Sequence, residues 1–246
     1  MSRKSQRNQA TAEPGAPATP ATPATQATNP GRRNIVIAAG AAAVAAVGGG
    51  VALFGRSGAD TTEGAALAQR PGLASPHAPT LGEATAKVQI VEFLDPACET
   101  CAVFYPIIKQ LMADNPGKIR LALRHVPLHK GADYVVALLE ASRKQDKYWQ
   151  TLEALLKGQE RWVVRHTVQP KEALEVIAAV GLNWDQLALD MSAPEVAQRM
   201  AQDRADATLL NVKQTPEYFV NGRQMDSFGR QQLLDLVDRA LRSAYR

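Results

Sequence analysis

Three hydrophobic patterns succeed one another along the chain. Ile35 to Phe54, IVIAAGAAAVAAVGGGVALF, is uncharged throughout. A second apolar run, Val88 to Phe93, has the length and β-branched content of a buried strand. From Cys98 the spacing becomes helical, with Cys101, Phe104, Tyr105, Ile108, Leu111 and Met112 at i, i+3, i+4 intervals until Asn115-Pro116-Gly117 stops it. Pro106 falls inside this helix, where its missing N–H predicts a kink.

A second strand is predicted over Ile119 to Val126, with Ile119, Leu121 and Leu123 on one face. His125 continues that face and reads as a hydrogen-bonded residue at a strand end rather than a catalytic one. Helices follow at Ala132 to Arg143, Asp146 to Leu156, Lys171 to Val180, Trp184 to Met191 and Pro194 to Leu210. Tyr148, Trp149, Trp162 and Trp184 recur near their apolar positions and read as core. KQTPEYFVNGRQM then predicts a turn at Thr215-Pro216, a strand at Tyr218 to Val220, a hairpin at Asn221-Gly222 and a return to Met225. The last helix, Arg230 to Ser243, turns Leu233, Leu234, Val237 and Leu241 inward.

Composition divides this pattern into four segments. Residues 1–33, a basic Ala/Pro/Thr-rich tail containing AEPGAPATPATPATQATNP, cannot bury a core and are expected to be disordered. The tail holds five bases and one acid, so the remaining 28 − 5 bases and 24 − 1 acids leave 23 of each in residues 34–246. The pI near 9.1 belongs to the tail, and a nucleic-acid partner is not expected.

Residues 34–54 can span a hydrocarbon core of about 30 Å. Arg32 and Arg33 on their N-terminal side orient the tail to the cytoplasm and the rest across the membrane. Gly31-Arg32-Arg33-Asn34-Ile35-Val36 also resembles a twin-arginine export signal. The best cleavage-like site, Ala66-Leu67-Ala68, lies far beyond the apolar end, which favours a retained single-span anchor over an exported, cleaved form. Residues 55–78 read as a linker, and a folded domain is expected over 79–246, with a helical insertion at about 129–212.

The chemistry concentrates at Cys98-Glu99-Thr100-Cys101. No other cysteine occurs in the 246 residues, so no second pair completes a four-thiolate zinc site. The histidines, His77, His125, His129 and His166, offer only His125 to His129 at metal-ligand spacing, interrupted by Pro127, and no metal site is expected. Cys98 at a helix N-terminus gains thiolate character from unpaired N–H groups and the helix dipole. Cys101, one turn on, is expected to be shielded while Cys98 meets solvent, the asymmetry that thiol–disulfide exchange requires. A redox-inert module or a Cu(I)-binding thiol pair is an alternative from another class.

A strand, C-x-x-C at a helix start, a strand, helices, then Thr-Pro before a hairpin and a terminal helix resemble the thioredoxin fold in its DsbA-like form, the thiol:disulfide oxidoreductases of the bacterial cell envelope. PTLGEATAKVQIVEF, LRHVPL and KYWQTLEALLKGQERW are similar to segments of that family. The resemblance implies an α/β thioredoxin-like fold with an inserted helical subdomain, here preceded by the single N-terminal transmembrane or signal-anchor helix. It implies Cys98 as the attacking cysteine, Cys101 as the resolving one, a redox disulfide between them as the only redox group, and no separate cofactor. Thr215 and Pro216 match the substrate-binding cis-proline turn. Glu92 matches a buried acid that exchanges protons with Cys101. Glu99 and Thr100 depart from the Pro-His of strong oxidants, and Glu99 disfavours the thiolate. A disulfide less oxidising than theirs follows, and a reductase driven by a membrane partner stays open. Implied partners are protein thiols or disulfides and a membrane protein that recycles the pair, at the bacterial inner membrane with the domain in the periplasm.

Overall fold

In the computed structural model, which describes residues 70–246, the alternating pattern becomes a five-stranded sheet. In chain order its strands are β1 (Thr80–Leu81), β2 (Val88–Leu94), β3 (Ile119–His125), β6 (Glu217–Val220) and β7 (Arg223–Gln224). The order across the sheet is β1-β3-β2-β6-β7. β2 and β3 run parallel from Val88 opposite Ile119 to Leu94 opposite His125, joined by α1 (Glu99–Asp114). β6 lies antiparallel to β2, with Glu92 opposite Tyr218. The tail, the apolar segment 34–54 and the linker up to residue 69 lie outside the described residues. Among the described residues no helix is long and apolar enough to cross a membrane.

The two-residue period of β2 puts Val88, Ile90 and Leu94 in one hydrophobic cluster and Phe93 in another. The first cluster holds Cys101, Phe104 and Ile108 of α1 and Leu233, Leu236 and Val237 of the last helix, α8 (Arg230–Ala244). Glu92 shares the parity of Val88, Ile90 and Leu94, so its carboxyl enters this apolar side. The second cluster joins Phe93, Val126 and Phe219 to Ala207 and Leu210, with Leu73 packed among them. Residues 70–78, placed by sequence in the linker, therefore pack on the domain. Gly82 follows β1 at φ +96°, where a Cβ would stand 2.5 Å from the Ile119 carbonyl, so the chain passes there only as glycine.

Between β3 and β6 lies the helical insertion. It comprises α2 (Ala132–Arg143), α3 (Tyr148–Lys157), α4 (Gln159–Trp162), α5 (Pro170–Val176), α6 (Trp184–Met191) and α7 (Pro194–Leu209). The predicted helix over Lys171 to Val180 ends at Val176 and continues as a 3-10 turn, Ala178–Val180. α1 runs unbroken through Pro106, losing only the bond that its N–H would donate to the Ala102 carbonyl. Trp184, expected in the core, opens α6 and is 43% exposed. In α8, Leu236 is buried where the sequence reading put Leu234, which is half-buried.

A hairpin unforeseen in the sequence, β4 (Val163–Val164) and β5 (Thr167–Val168), turns at Arg165 and His166 with φ +50° and +59°. Tight hairpin turns with two positive φ values are normally marked by Asn-Gly, so Arg-His carries no such signal.

Buried charge fastens α7 to the sheet. The fully buried Arg124 guanidinium donates from Nε to Asp203 (2.7 Å), from Nη1 to the Gly72 carbonyl (2.8 Å) and from Nη2 to Asp206. Asp203 also accepts the His125 backbone N–H at 2.8 Å and pairs with the His77 ring at 2.7 Å. His125 is a strand-end residue with a satisfied ring, its Nε2 standing 2.9 Å from the Tyr148 hydroxyl, and burial lowers its pKa.

Asp203→Ala strips a buried guanidinium of one of its two carboxylate partners and the His125 N–H of its acceptor. Urea denaturation should register a loss of about 3–5 kcal/mol. Breaking the half-exposed Lys109–Glu153 pair with Lys109→Ala, which leaves the Tyr105 hydroxyl its acceptor, should cost less than about 1 kcal/mol. Similar losses from the two variants would contradict this account of the insertion.

Candidate active site

β2 is followed by Asp95, whose carboxylate is fully buried and shapes the turn into α1. Its Oδ1 accepts the Ala97 N–H at 2.8 Å, an Asx-type turn, and its main-chain carbonyl accepts the Cys98 N–H at 3.0 Å. Oδ2 accepts three donors from the loop after β3: the backbone N–H groups of Leu128 (2.7 Å) and His129 (2.8 Å), and Nδ1 of His129 (2.7 Å). From the insertion, Gln159 Nε2 reaches the carbonyls of Pro96 (2.8 Å) and Cys98 (3.0 Å). Strand end, following loop and insertion thus hold the cysteine turn from three directions.

Cys98 is the N-cap of α1 in extended backbone, and Cys101 lies in the first turn; both are free thiols. Cys101 is fully buried, as expected. Cys98 is only 6% exposed, which corrects the expectation that it meets solvent. The turn before β6 leans over it: the Cys98 Sγ donates to the Thr215 carbonyl at 3.1 Å, and the Thr215–Pro216 peptide is cis.

The two thiols are driven apart in acidity. A hydrogen bond from Cys101, opposed by burial and reinforced by Thr215 and the backbone N–H groups of Cys101 and Thr100, brings Cys98 down to about 6. Burial, the same hydrogen bond to Cys98 and the negative charges of Glu92 and Cys98 push Cys101 up. Glu92 is fully buried on β2; burial raises it to about 8, partly offset by the Tyr218 hydroxyl, which donates to Oε1 at 3.1 Å. The other oxygen, Oε2, has no hydrogen-bond partner. A buried carboxyl in this state holds a proton near neutrality and can surrender it.

Glu99 and Thr100 sit between the cysteines, but the Glu99 side chain is 59% exposed and faces His166, with His166 Nδ1 at 3.6 Å from Oε1. The largest influences on Cys98 are the Cys101 hydrogen bond, burial, Thr215 and the first-turn N–H groups. Beside the turn, burial pulls the His129 imidazole down, but its hydrogen bond to Asp95 and the charges of Asp95, Cys98 and Glu99 outweigh this and raise it.

Of the residues named from sequence, Glu92, Cys98, Cys101, Thr215 and Pro216 converge, Thr100 contributes its backbone N–H, and Glu99 points away. Asp95, Gln159, Tyr218 and His129 were missed. Asp95 carried a signal, an Asp two residues before a backbone N–H that needs an acceptor at a helix start; the others come from distant segments.

Comparison with known proteins follows the same outline. A family model described as thioredoxin matches residues 74–239. A thioredoxin-like oxidoreductase from Silicibacter pomeroyi superimposes with a TM-score of 0.62 at 34% identity, covering 70% of this chain and 98% of that one. Wolbachia pipientis alpha-DsbA1 does so at 0.61 and 20% identity, over 70% and 94% of the two chains, a likeness of fold. In sequence, the Na(+)/H(+) antiporter NhaA 3 of Salinispora tropica is 30% identical over 146 residues, 58% of this chain and 21% of that protein. The chain thus spans about a fifth of the length of the curated relatives it matches.

Fold and site define a thioredoxin-fold protein with an inserted helical subdomain. The chain belongs to the thioredoxin family, and its fold is shared with the DsbA structure it superimposes on.

Two measurements test the acid–base picture. Alkylation of reduced Cys98 should rise with pH to a half-maximum near pH 6, well below that of an ordinary thiol. For Glu92, a folded-state pKa above the unfolded one means that the native state binds the proton more tightly between about 4.5 and 8. Stability is then lost as pH rises through that window, by roughly 2–5 kcal/mol. Glu92→Gln keeps an acceptor for Tyr218 and removes the charge, so its denaturation midpoint should exceed the parent's increasingly toward pH 8. Parallel curves would rule out a neutral buried Glu92.

Proposed function

We propose that this protein exchanges disulfides with protein substrates through Cys98 and Cys101, on the extracytoplasmic side of a bacterial inner membrane. The observation that carries the reading is the position of the Cys98 sulfur. It sits at the start of α1 against the Thr215 carbonyl, with the buried Cys101 and Glu92 on its inner side.

In the oxidising direction, a substrate thiolate attacks Sγ of Cys98 in the Cys98–Cys101 disulfide. The sulfur–sulfur bond breaks, Cys101 leaves as thiolate, and a mixed disulfide forms on Cys98. Cys101, raised in pKa, takes a proton, and Glu92 is the group placed to deliver it. A second substrate thiolate then attacks the substrate sulfur of the mixed disulfide and releases Cys98 as thiolate. The substrate has lost two electrons and two protons, and the protein has gained both electrons. A protein disulfide is reduced by the same steps in reverse. Thr215 offers backbone groups beside the sulfur for strand-like pairing with an extended substrate. The apolar segment 34–54 serves as the anchor, and a membrane redox partner restores the pair.

Direction depends on potential. A Cys98 pKa near 6 lies between the values of about 7 and about 3.5 for a reducing and a strongly oxidising member of the fold. The reduction potential should accordingly fall between roughly −270 and −120 mV in glutathione buffers. Cys98→Ser should abolish exchange with a dithiol peptide, and Cys101→Ser should accumulate the mixed disulfide. If both variants keep the parent's rate, the proposal fails. Glu99→Gln should leave the potential within about 15 mV of the parent, since the screened carboxylate moves Cys98 by about half a pKa unit at most.

A further inference from the structure

The hairpin of β4 and β5 brings a group of side chains to the rim of the thiol site that the exchange chemistry does not use. One donor atom from each of Glu99, His129 and His166 lies within 4.8 Å of the others. His166 Nδ1 and Glu99 Oε1 are 3.6 Å apart, and the two imidazole rings stack with centroids at 5.7 Å and planes 29° apart. The residues come from the first turn of α1, the loop after β3 and the tip of the hairpin.

His129 is held from outside the cluster. Its Nδ1 donates to the buried Asp95 carboxylate at 2.7 Å, which fixes the ring and leaves the lone pair on Nε2. Metal-ligating histidines are oriented by this same carboxylate contact. His166 is set by its left-handed turn, and the hairpin is tied back by pairing of Thr167 with Lys130, the residue next to His129.

We propose that Glu99, His129 and His166 form a binding site for a divalent borderline transition metal, with Zn²⁺ as the best match. Two imidazoles and a carboxylate are an established zinc donor set that leaves a fourth position open, whereas Ca²⁺ and Mg²⁺ call for oxygen donors. Tetrahedral donors about 2.0–2.1 Å from zinc stand about 3.4 Å from one another. Closing the cluster to that spacing needs side-chain rotation of His166 and Glu99, which are 77% and 59% exposed and free to turn. The buried end, His129 on Asp95, stays in place. An ion held there stands one residue from Cys98, at the mouth of the thiol site.

The full chain carrying Cys98→Ser and Cys101→Ser removes the thiols as competing ligands, so the result is independent of the disulfide chemistry proposed above. Titrated calorimetrically with Zn²⁺, it should bind one equivalent saturably, and bound Co²⁺ should give the intense visible absorption of a tetrahedral site. Adding His166→Ala or Glu99→Gln should weaken binding about tenfold or more and diminish that absorption, with the melting temperature of the metal-free protein unchanged. Both substitutions are at exposed side chains and leave the Asp95–His129 contact intact. Absence of saturable binding, or binding that His166→Ala leaves unaltered, would overturn the assignment and reduce the cluster to a surface ion pair beside a stacked histidine.

Discussion

A carboxylate removed from water must collect donors or lose its charge, and around Asp95 that requirement assembles the active site. Its two oxygens gather Ala97 on one side of β2 and Leu128 and His129 on the other. One buried side chain thereby sets the turn that carries Cys98 and the loop that carries His129. The backbone N–H groups it accepts would otherwise be orphaned in the interior, at a cost of about 1–3 kcal/mol each. Gln159 does the converse for the carbonyls of Pro96 and Cys98. The thiol pair is held because the polar groups around it have few other ways to be satisfied.

Within that frame, burial distributes a small amount of negative charge. The charge of Cys98 raises the cost of ionising Glu92, and the charges of Glu92 and Cys98 raise that of Cys101. Cys98 prevails because the first turn of α1 offers it N–H groups and the Cys101 thiol offers a hydrogen bond. Glu92 and Cys101 keep their protons chiefly because burial opposes their charged forms. One stabilised anion beside two protonated groups suits a sulfur that gives and receives bonds while protons move behind it. Tyr218 satisfies one oxygen of Glu92 and leaves the other without a partner, so the acid is positioned without being locked in its ionised form.

The insertion contributes to the site in two ways. Its last helix, α7, is bound to the sheet by Arg124 with Asp203 and Asp206, a cluster that also engages Gly72 of the preceding segment. Its inner part, α4 and the hairpin after it, reaches the cysteine turn through Gln159 and sets His166 beside Glu99. Rigid attachment on one side and contact with the site on the other are one structural arrangement. The same arrangement turns the Glu99 side chain outward, to a histidine supplied by the insertion.

Local spacing determined a large part of this protein. The change from a strand period at Val88 to a helical one at Cys98 placed both cysteines in the first helical turn, and the alternation along β2 is what turns Glu92 to the apolar side. Helix and strand periods are short-range properties of the chain, set within a few residues, and for that reason the elements and their succession along the chain were legible. The near burial of Cys98, the outward course of Glu99, the exposure of Trp184 and the hairpin at Arg165-His166 were not. Each depends on which distant segment arrives alongside: Thr215 at Cys98, 117 residues away, or His166 at Glu99. Hydrogen bonds and burial between such segments are settled only when the sheet and the insertion pack, so the chemistry of the thiols belongs to the sequence and their environment to the tertiary structure.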